Sequence, residues 1–357
     1  MAKSRKAPLP KLPEPKEAAA AVALTGAAAI GGKLAVDKVS ARRREETERE
    51  YRLGRAEFVP DGMRRIARGQ LDAGIEELAG QPNRRLDEAV HETRKRLKRL
   101  RAALRLERSA IGTETYRREN AGFRDVGKTL SGPRDAKVLI ETLDALGERF
   151  GDEVPQDATG PLRARFVQTH KRALTKLRRD GATIEAARVE LEEARERSAA
   201  WTFDADGFDA LRPGLERIYQ RGRRSMRAAA KEPSDENLHE WRKRSKDIWH
   251  AAQILRPAAP KRMKKFAKRA HRLSDLLGDD HDLAVLRAQV EQAGGSFEHE
   301  AGQAALLAVI DRRRRSLQRD AFKLGAKVYG ASPKRFGRSI ERGWNKRAAA
   351  HPRPVAG

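Results

Sequence analysis

The chain has 357 residues, enough for one large or two modest domains with a proper core, and 36% of them are charged. Lysine and arginine outnumber aspartate and glutamate by 77 to 51, a formal net charge of +26 that calls for a polyanionic partner. Cysteine is absent, which excludes disulfides, thiolate chemistry and Cys-ligated zinc and fits the cytoplasm, while an aromatic content of 5% favours helices over sheets.

In chain order, residues 1–55 read as a separate N-terminal arm. MAKSRKAPLPKLPEPK is rich in Pro and Lys and predicts disorder. The Ala-rich run from Ala18 to Gly32 falls short of the ~20 residues of a spanning helix; peripheral membrane contact is the functional reading and a loose linker the plain one. Asp61-Gly62 opens a helix that runs to Leu78 and closes at Gly80-Gln-Pro82. The next helix, HETRKRLKRLRAALR over 91–105, carries the strongest signal. At about 100° per residue, Val90, Leu97, Leu100 and Leu104 form a core-facing stripe. Beside them lie His91, Arg94, Lys98, Arg101 and Arg105, with Lys95 at the margin, and Glu92 as the only acid. A ladder of one sign repels itself unless an anion lies along it.

Further helices are expected over 113–130, 134–149 (apolar face Val138, Leu139, Leu143, Leu146) and in segments across 162–198. Leu211 to Ala230 is a basic helix carrying Arg223 and Arg224. Asp235 is expected to cap the next helix, which Pro257 and Pro260 end. Helices over 261–277, 281–292 and 297–327 follow, and the basic, Pro-containing tail from Tyr329 is expected to be mobile.

The pattern occurs twice. LHEWRKRSKDIWHAAQIL (238–255) aligns with the first ladder so that His91 matches His239, Arg94 matches Arg242, Lys95 matches Lys243 and Lys98 matches Lys246. Leu238, Trp241, Ile248 and Ala252 supply its core stripe. LSGPRDAKVL (130–139) then matches LGDDHDLAVL (277–286), so two blocks recur in the same order, the mark of an internal duplication. These paired His-x-x-Arg-Lys-x-x-Lys helices, each followed by a Leu…Arg/His-Asp…Val-Leu block, resemble the CHAD family, the conserved-histidine α-helical domain, over roughly residues 57–325.

The resemblance implies an all-α fold of two four-helix bundles related by a pseudo-twofold axis, with a basic groove between them. It also implies binding of inorganic polyphosphate without catalysis or cofactor. The corresponding division is a CHAD domain at 57–327 (repeat one 57–150, bridging helices 160–200, repeat two 206–327) and a basic tail at 328–357. Carried over by position, His91, Arg94, Lys95, Lys98, His239, Arg242, Lys243 and Lys246 are the signature binding residues. Arg101 and Arg105 extend the first ladder, and Arg223 and Arg224 are further candidates. Trp249 stands where the first copy has Arg101, so the second ladder is expected to hold anions less strongly.

Polyphosphate has no base or sugar to read, so a binder needs rows of Arg and Lys donors, the Arg fork holding two oxygens and Lys acting as a point charge. His91 and His239, each in the first turn of its ladder, are expected to donate to phosphate oxygens. Arg134-Asp135 and His281-Asp282 are expected to open matched helices, their acids favouring helix N-termini. Gly278 to Asp282 also has the composition of a metal or phosphohydrolase cluster, but Arg134 replaces His281 in the first copy and Arg ligates no metal. No Walker-type loop, dinucleotide fingerprint or nucleophile set is present. Non-specific nucleic-acid binding is the alternative, weakened by the few aromatics available for stacking. A cytoplasmic location at polyphosphate granules follows from the resemblance.

Overall fold

The computed structural model describes residues 50–54, 57–80, 86–154, 156–293 and 300–350; the expectations for the N-terminal arm fall outside the described residues except at its last positions. From Tyr51 onward the chain forms one compact unit. Its described residues form eleven α-helices and no strand.

α1 (Val59–Leu78) begins with Pro60, whose fixed φ suits a first turn, and stops before Gly80, whose φ of 76° lies in the left-handed region. α2 (Leu86–Glu107) is the first ladder helix, with Asp87 and Glu88 opposite the positive end of its dipole. α3 (Thr113–Thr129) ends where Ser131-Gly132-Pro133 intervenes, and α4 (Gly132–Phe150) restarts the chain. α5 (Gln156–Arg179) and α6 (Gly181–Ala199) follow, the latter capped by Asp180, which accepts from the Thr183 backbone N–H. α7 (Gly207–Lys231) precedes α8 (Asp235–Ile254), the second ladder helix. Its cap is Ser234, whose hydroxyl accepts from the Asn237 N–H at 3.3 Å; Asp235 sits one residue inside and pairs with Arg314, which corrects the expected cap. A 3-10 turn (Arg256–Ala258) leads to α9 (Pro260–Gln292), α10 (Glu300–Val328) and α11 (Pro333–Ala350).

Two four-helix clusters result. In the first, α1, α2, α3 and α6 enclose Leu71, Val90, Leu97, Leu100, Leu104, Phe123 and Leu191. In the second, α7, α8, α9 and α10 enclose Leu238, Trp241, Ile248, Leu273, Leu286 and Ile310. Both predicted ladder stripes are buried. α6, expected as a bridge, is the fourth helix of the first cluster, while α4 and α5 turn Leu143, Leu146, Leu162 and Phe166 into the second. The far side of α2 (Ala103, Leu106) also belongs to the second cluster, and Gly214 of α7 permits that crossing: a Cβ there would lie 1.8 Å from the Leu106 carbonyl oxygen. The clusters therefore share α2 as a common wall.

Two expectations are corrected. The break before His281 does not exist, for α9 runs through Gly278 as one helix of 33 residues, so His281 and Asp282 lie in its interior. A single Gly costs a helix interior only about 1 kcal/mol, whereas Pro, lacking an N–H, is excluded from a helix interior and tolerated in a first turn, which is where α4 begins. The tail is also ordered as far as Ala350. Phe336 and Ile340 are buried, Phe336 stacks on Tyr219 at 4.3 Å, and Arg212 of α7 holds Glu341 at 3.1 Å. Phe336, Ile340 and Trp344 are spaced i, i+4, i+8, an apolar stripe that the basic composition masked.

Candidate anion-binding site

Each ladder helix aims one stretch of bases at the other. α2 contributes His91, Arg94, Lys95, Lys98 and Arg99, and α8 contributes Arg242, Lys246, Trp249 and His250, to a single cavity of about 510 Å³. Its remaining walls are the matched second blocks: Arg134, Asp135, Val138 and Leu139 from α4, and His281, Asp282 and Val285 from α9. Seven basic side chains thus face two carboxylates, with three histidines among them. A further cavity of about 640 Å³ shares Arg134, Val138 and Asp282 and runs along α4 toward Arg149 and Arg313.

The two carboxylates hold equivalent arginines. Arg94 lies 3.7 Å from Asp135, and Arg242 lies 3.8 Å from Asp282, the same pair in both copies. The copies differ behind the guanidinium. The break after α3 leaves carbonyls free, and Arg94 Nη1 donates to Ser131 O at 2.8 Å and Leu130 O at 3.3 Å. α9 is continuous, so its carbonyls are engaged within the helix, and Arg242 Nε is buried with no hydrogen-bond partner.

Crowded cations lower one another's proton affinity. Lys246 is brought down to about 7, first by burial and then by Arg242 and Lys98. Lys98, an exposed side chain at the mouth of a recess walled by protein, is brought down to about 8 by desolvation, Arg94, Arg242 and Arg134. Burial followed by the charge of Arg134 lowers His91. His281 falls to about 4 through burial, Arg242 and His239, and fully enclosed His250 falls to about 3 through burial and Arg99. An empty pocket of this kind disfavours its own charges, and a multivalent anion relieves that cost.

Not every predicted residue reaches the cavity. Arg101 Nε donates to Asn120 at 3.1 Å, and Arg105 pairs with buried Asp247 at 3.2 Å, because the last two turns of α2 are covered by α3, α7 and α8. Lys243 turns outward to Glu240 at 2.6 Å. His239 lies behind the wall, its ring 4.2 Å from that of His281, with Nδ1 buried and unpartnered. Arg223 and Arg224 sit on α7 and are absent from the lining. Conversely, Arg99, Arg134 and His281 line the cavity although the ladder pattern did not single them out as ligands. The recurrence of the second block in both copies was the available signal for Arg134, His281 and the two aspartates. Residues 279–282 splay around α9: Asp280 accepts from Arg314 and Gln318, Asp282 faces the cavity, and His281 meets His239.

The CHAD domain family model matches residues 65–291 of this chain. The chain belongs to the CHAD family. The match contains both ladder helices and both second blocks, so every residue that lines the cavity between the ladders of this CHAD protein falls inside it. No curated protein sequence matches the chain. In fold it is similar to the solved structure of PptA from Streptomyces chartreusis, at 17% sequence identity and a TM-score of 0.55, over 75% of this chain and 99% of that one. Among the described residues no helix is long and apolar enough to cross a membrane.

Proposed function

We propose that this CHAD protein binds inorganic polyphosphate in the cavity between its two ladder helices, holds it without catalysing its conversion, and so serves to recruit the protein to polyphosphate granules in the cytoplasm. The observation that carries the reading is the convergence of Arg94, Lys98, Arg242 and Lys246, drawn from two copies far apart in sequence, on one recess. Such a convergence has no use in folding, since each added cation lowers the stability of the others. Polyphosphate carries about one charge per residue along a flexible chain, and forked guanidinium donors flanked by ammonium groups match it without any base-reading element.

The test is a calorimetric titration of the full chain with long-chain polyphosphate at physiological salt, beside the variant R94A/K98A/R242A/K246A. Tight binding is expected for the native chain, weakened at least about a hundredfold in the variant if each lost contact is worth roughly 1 kcal/mol or more. Duplex DNA should displace little of the bound polyphosphate. Equal, weak and DNA-sensitive binding by both proteins would leave a generic basic surface and favour the nucleic-acid reading. Incubation with polyphosphate should release no orthophosphate, and release would overturn the non-catalytic part.

A further inference from the structure

Lys246 stands apart from the other lysines of the chain because of where its amine sits. It projects from α8 into the same cavity as Lys98 of α2, and phosphate-binding groups surround both: Arg94, Arg134 and Arg242. The carboxylates facing it, Asp275 and Asp282 on α9, are too few to neutralise the cluster. Exposed lysines such as Lys264 and Lys265 on the outer face of α9 have no such surroundings.

We infer that Lys246, and secondarily Lys98, is a site of covalent acylation by acyl phosphates, the mixed anhydrides of a carboxylic and phosphoric acid, and that this modification lowers the cavity's hold on anions. The guanidinium groups take the phosphoryl end of the reagent and place its carbonyl carbon beside the amine. The amine nitrogen attacks that carbon, the carbon–oxygen bond to phosphate breaks, and the displaced phosphate leaves with one proton from the nitrogen. The products are an amide and hydrogen phosphate, so no further reactant is consumed. The arginines that bind the reagent also stabilise the developing phosphate charge. Burial and neighbouring cations bring the amine to about 7, so about half of it is unprotonated at neutral pH, whereas an ordinary lysine is neutral only about 0.1% of the time at pH ~7.5. Lower basicity weakens a nucleophile and offsets part of that advantage. The amide cannot take up a proton, so the recess loses a group that becomes cationic when an anion binds.

The inference rests on the anion-binding reading of the cavity for its consequence, but its chemistry is tested separately. The full chain is incubated with acetyl phosphate, and acetylation is followed at each lysine by peptide mass spectrometry. Lys246 should react roughly tenfold faster than Lys264 or Lys265, and pyrophosphate should suppress that excess. Acetic acid N-hydroxysuccinimide ester, which has no phosphate for the arginines to hold, should show a smaller preference for Lys246 than acetyl phosphate does. Reaction of Lys246 no faster than the outer lysines, or a preference indifferent to pyrophosphate, overturns the inference. Polyphosphate titrations of treated protein complete the test: treatment should weaken binding in the native chain and leave K98R/K246R, which keeps both charges, unaffected. If the native chain fails to bind polyphosphate while the acetylation preference persists, the proposed function falls and the acylation site stands. Equal loss of affinity in K98R/K246R after treatment overturns the link between acylation and anion release.

Discussion

Arg94 and Arg242 occupy matched positions yet spend their hydrogen bonds differently. Arg94 engages two carbonyls at the end of α3 through Nη1, while Arg242 keeps Nε unpartnered and faces Asp282. The sequence-based ranking, in which Trp249 weakens the second ladder, has no support in the cavity, since its counterpart Arg101 does not line it. R242A is therefore expected to lose more polyphosphate affinity than R94A, and R94A to lose more stability, about 1–2 kcal/mol for the uncapped helix end. Paired calorimetric and urea-denaturation measurements would decide, and the reverse ordering would reject the donor accounting. The two lysines give a pH prediction at the same scale. A bound polyanion favours their ammonium forms, so binding near pH 8 takes up protons and weakens as pH rises through the range set by Lys246 at about 7 and Lys98 at about 8. Titrations in two buffers of different ionisation enthalpy should give different apparent heats; identical heats would show that neither amine changes state.

Among the elements, α11 shows how much composition can hide. Its basic residues suggest a loose tail, but Phe336 and Ile340 fill a groove on α7, and Tyr219 ties the preceding turn by donating to Val328 O at 3.0 Å and accepting from the Ala331 N–H at 3.1 Å. F336A should cost roughly 3–5 kcal/mol of unfolding free energy, the range for emptying a buried aromatic site. Anion affinity should barely change, because α11 contributes nothing to the cavity lining. A thermal or urea midpoint like that of the native chain would mean that the helix does not dock. The α3–α4 break is the second element-level feature. The helix ends at Thr129 in one copy where the other runs straight on, and the resulting asymmetry sets which arginine has backbone carbonyls to hold.

For the whole molecule, two bundles fused through α2 close on a recess that is costly to fill with charge. His250 and His281 are held neutral, at about 3 and about 4 against an unfolded value of 6.5. Their folded values are depressed, so the unfolded chain takes protons first, and stability drops as pH falls from about 6.5 toward these values. Lys98 and Lys246 act with the same sign at higher pH, adding stability as pH rises from about 7 toward the ordinary lysine range. Glu107 opposes them: buried without a partner and raised to about 8, it loses its contribution as pH climbs from about 4.5 through that value. The anion-free protein should therefore melt at a lower temperature at pH 5 than at pH 7, and polyphosphate should raise the midpoint most at the acid end. A flat profile between those pH values would contradict the burial of His250.

The sequence by itself determined the helical fold, the duplication and the ladder residues, because period, charge sign and repeated spacing are local properties of a chain. Val90, Leu97, Leu100 and Leu104 had to face inward, and that orientation alone placed Arg94 and Lys98 on the cavity side. Only the tertiary structure decided how far along each helix the ladder serves the cavity. Arg101 and Arg105 share the face of Arg94, but the crossing of α2 over α7 and α8 covers their end, a contact between residues more than a hundred positions apart. The same holds for Arg134, Asp135, His281 and Asp282, whose role as walls exists only where α4 and α9 pack against each other across the ladders.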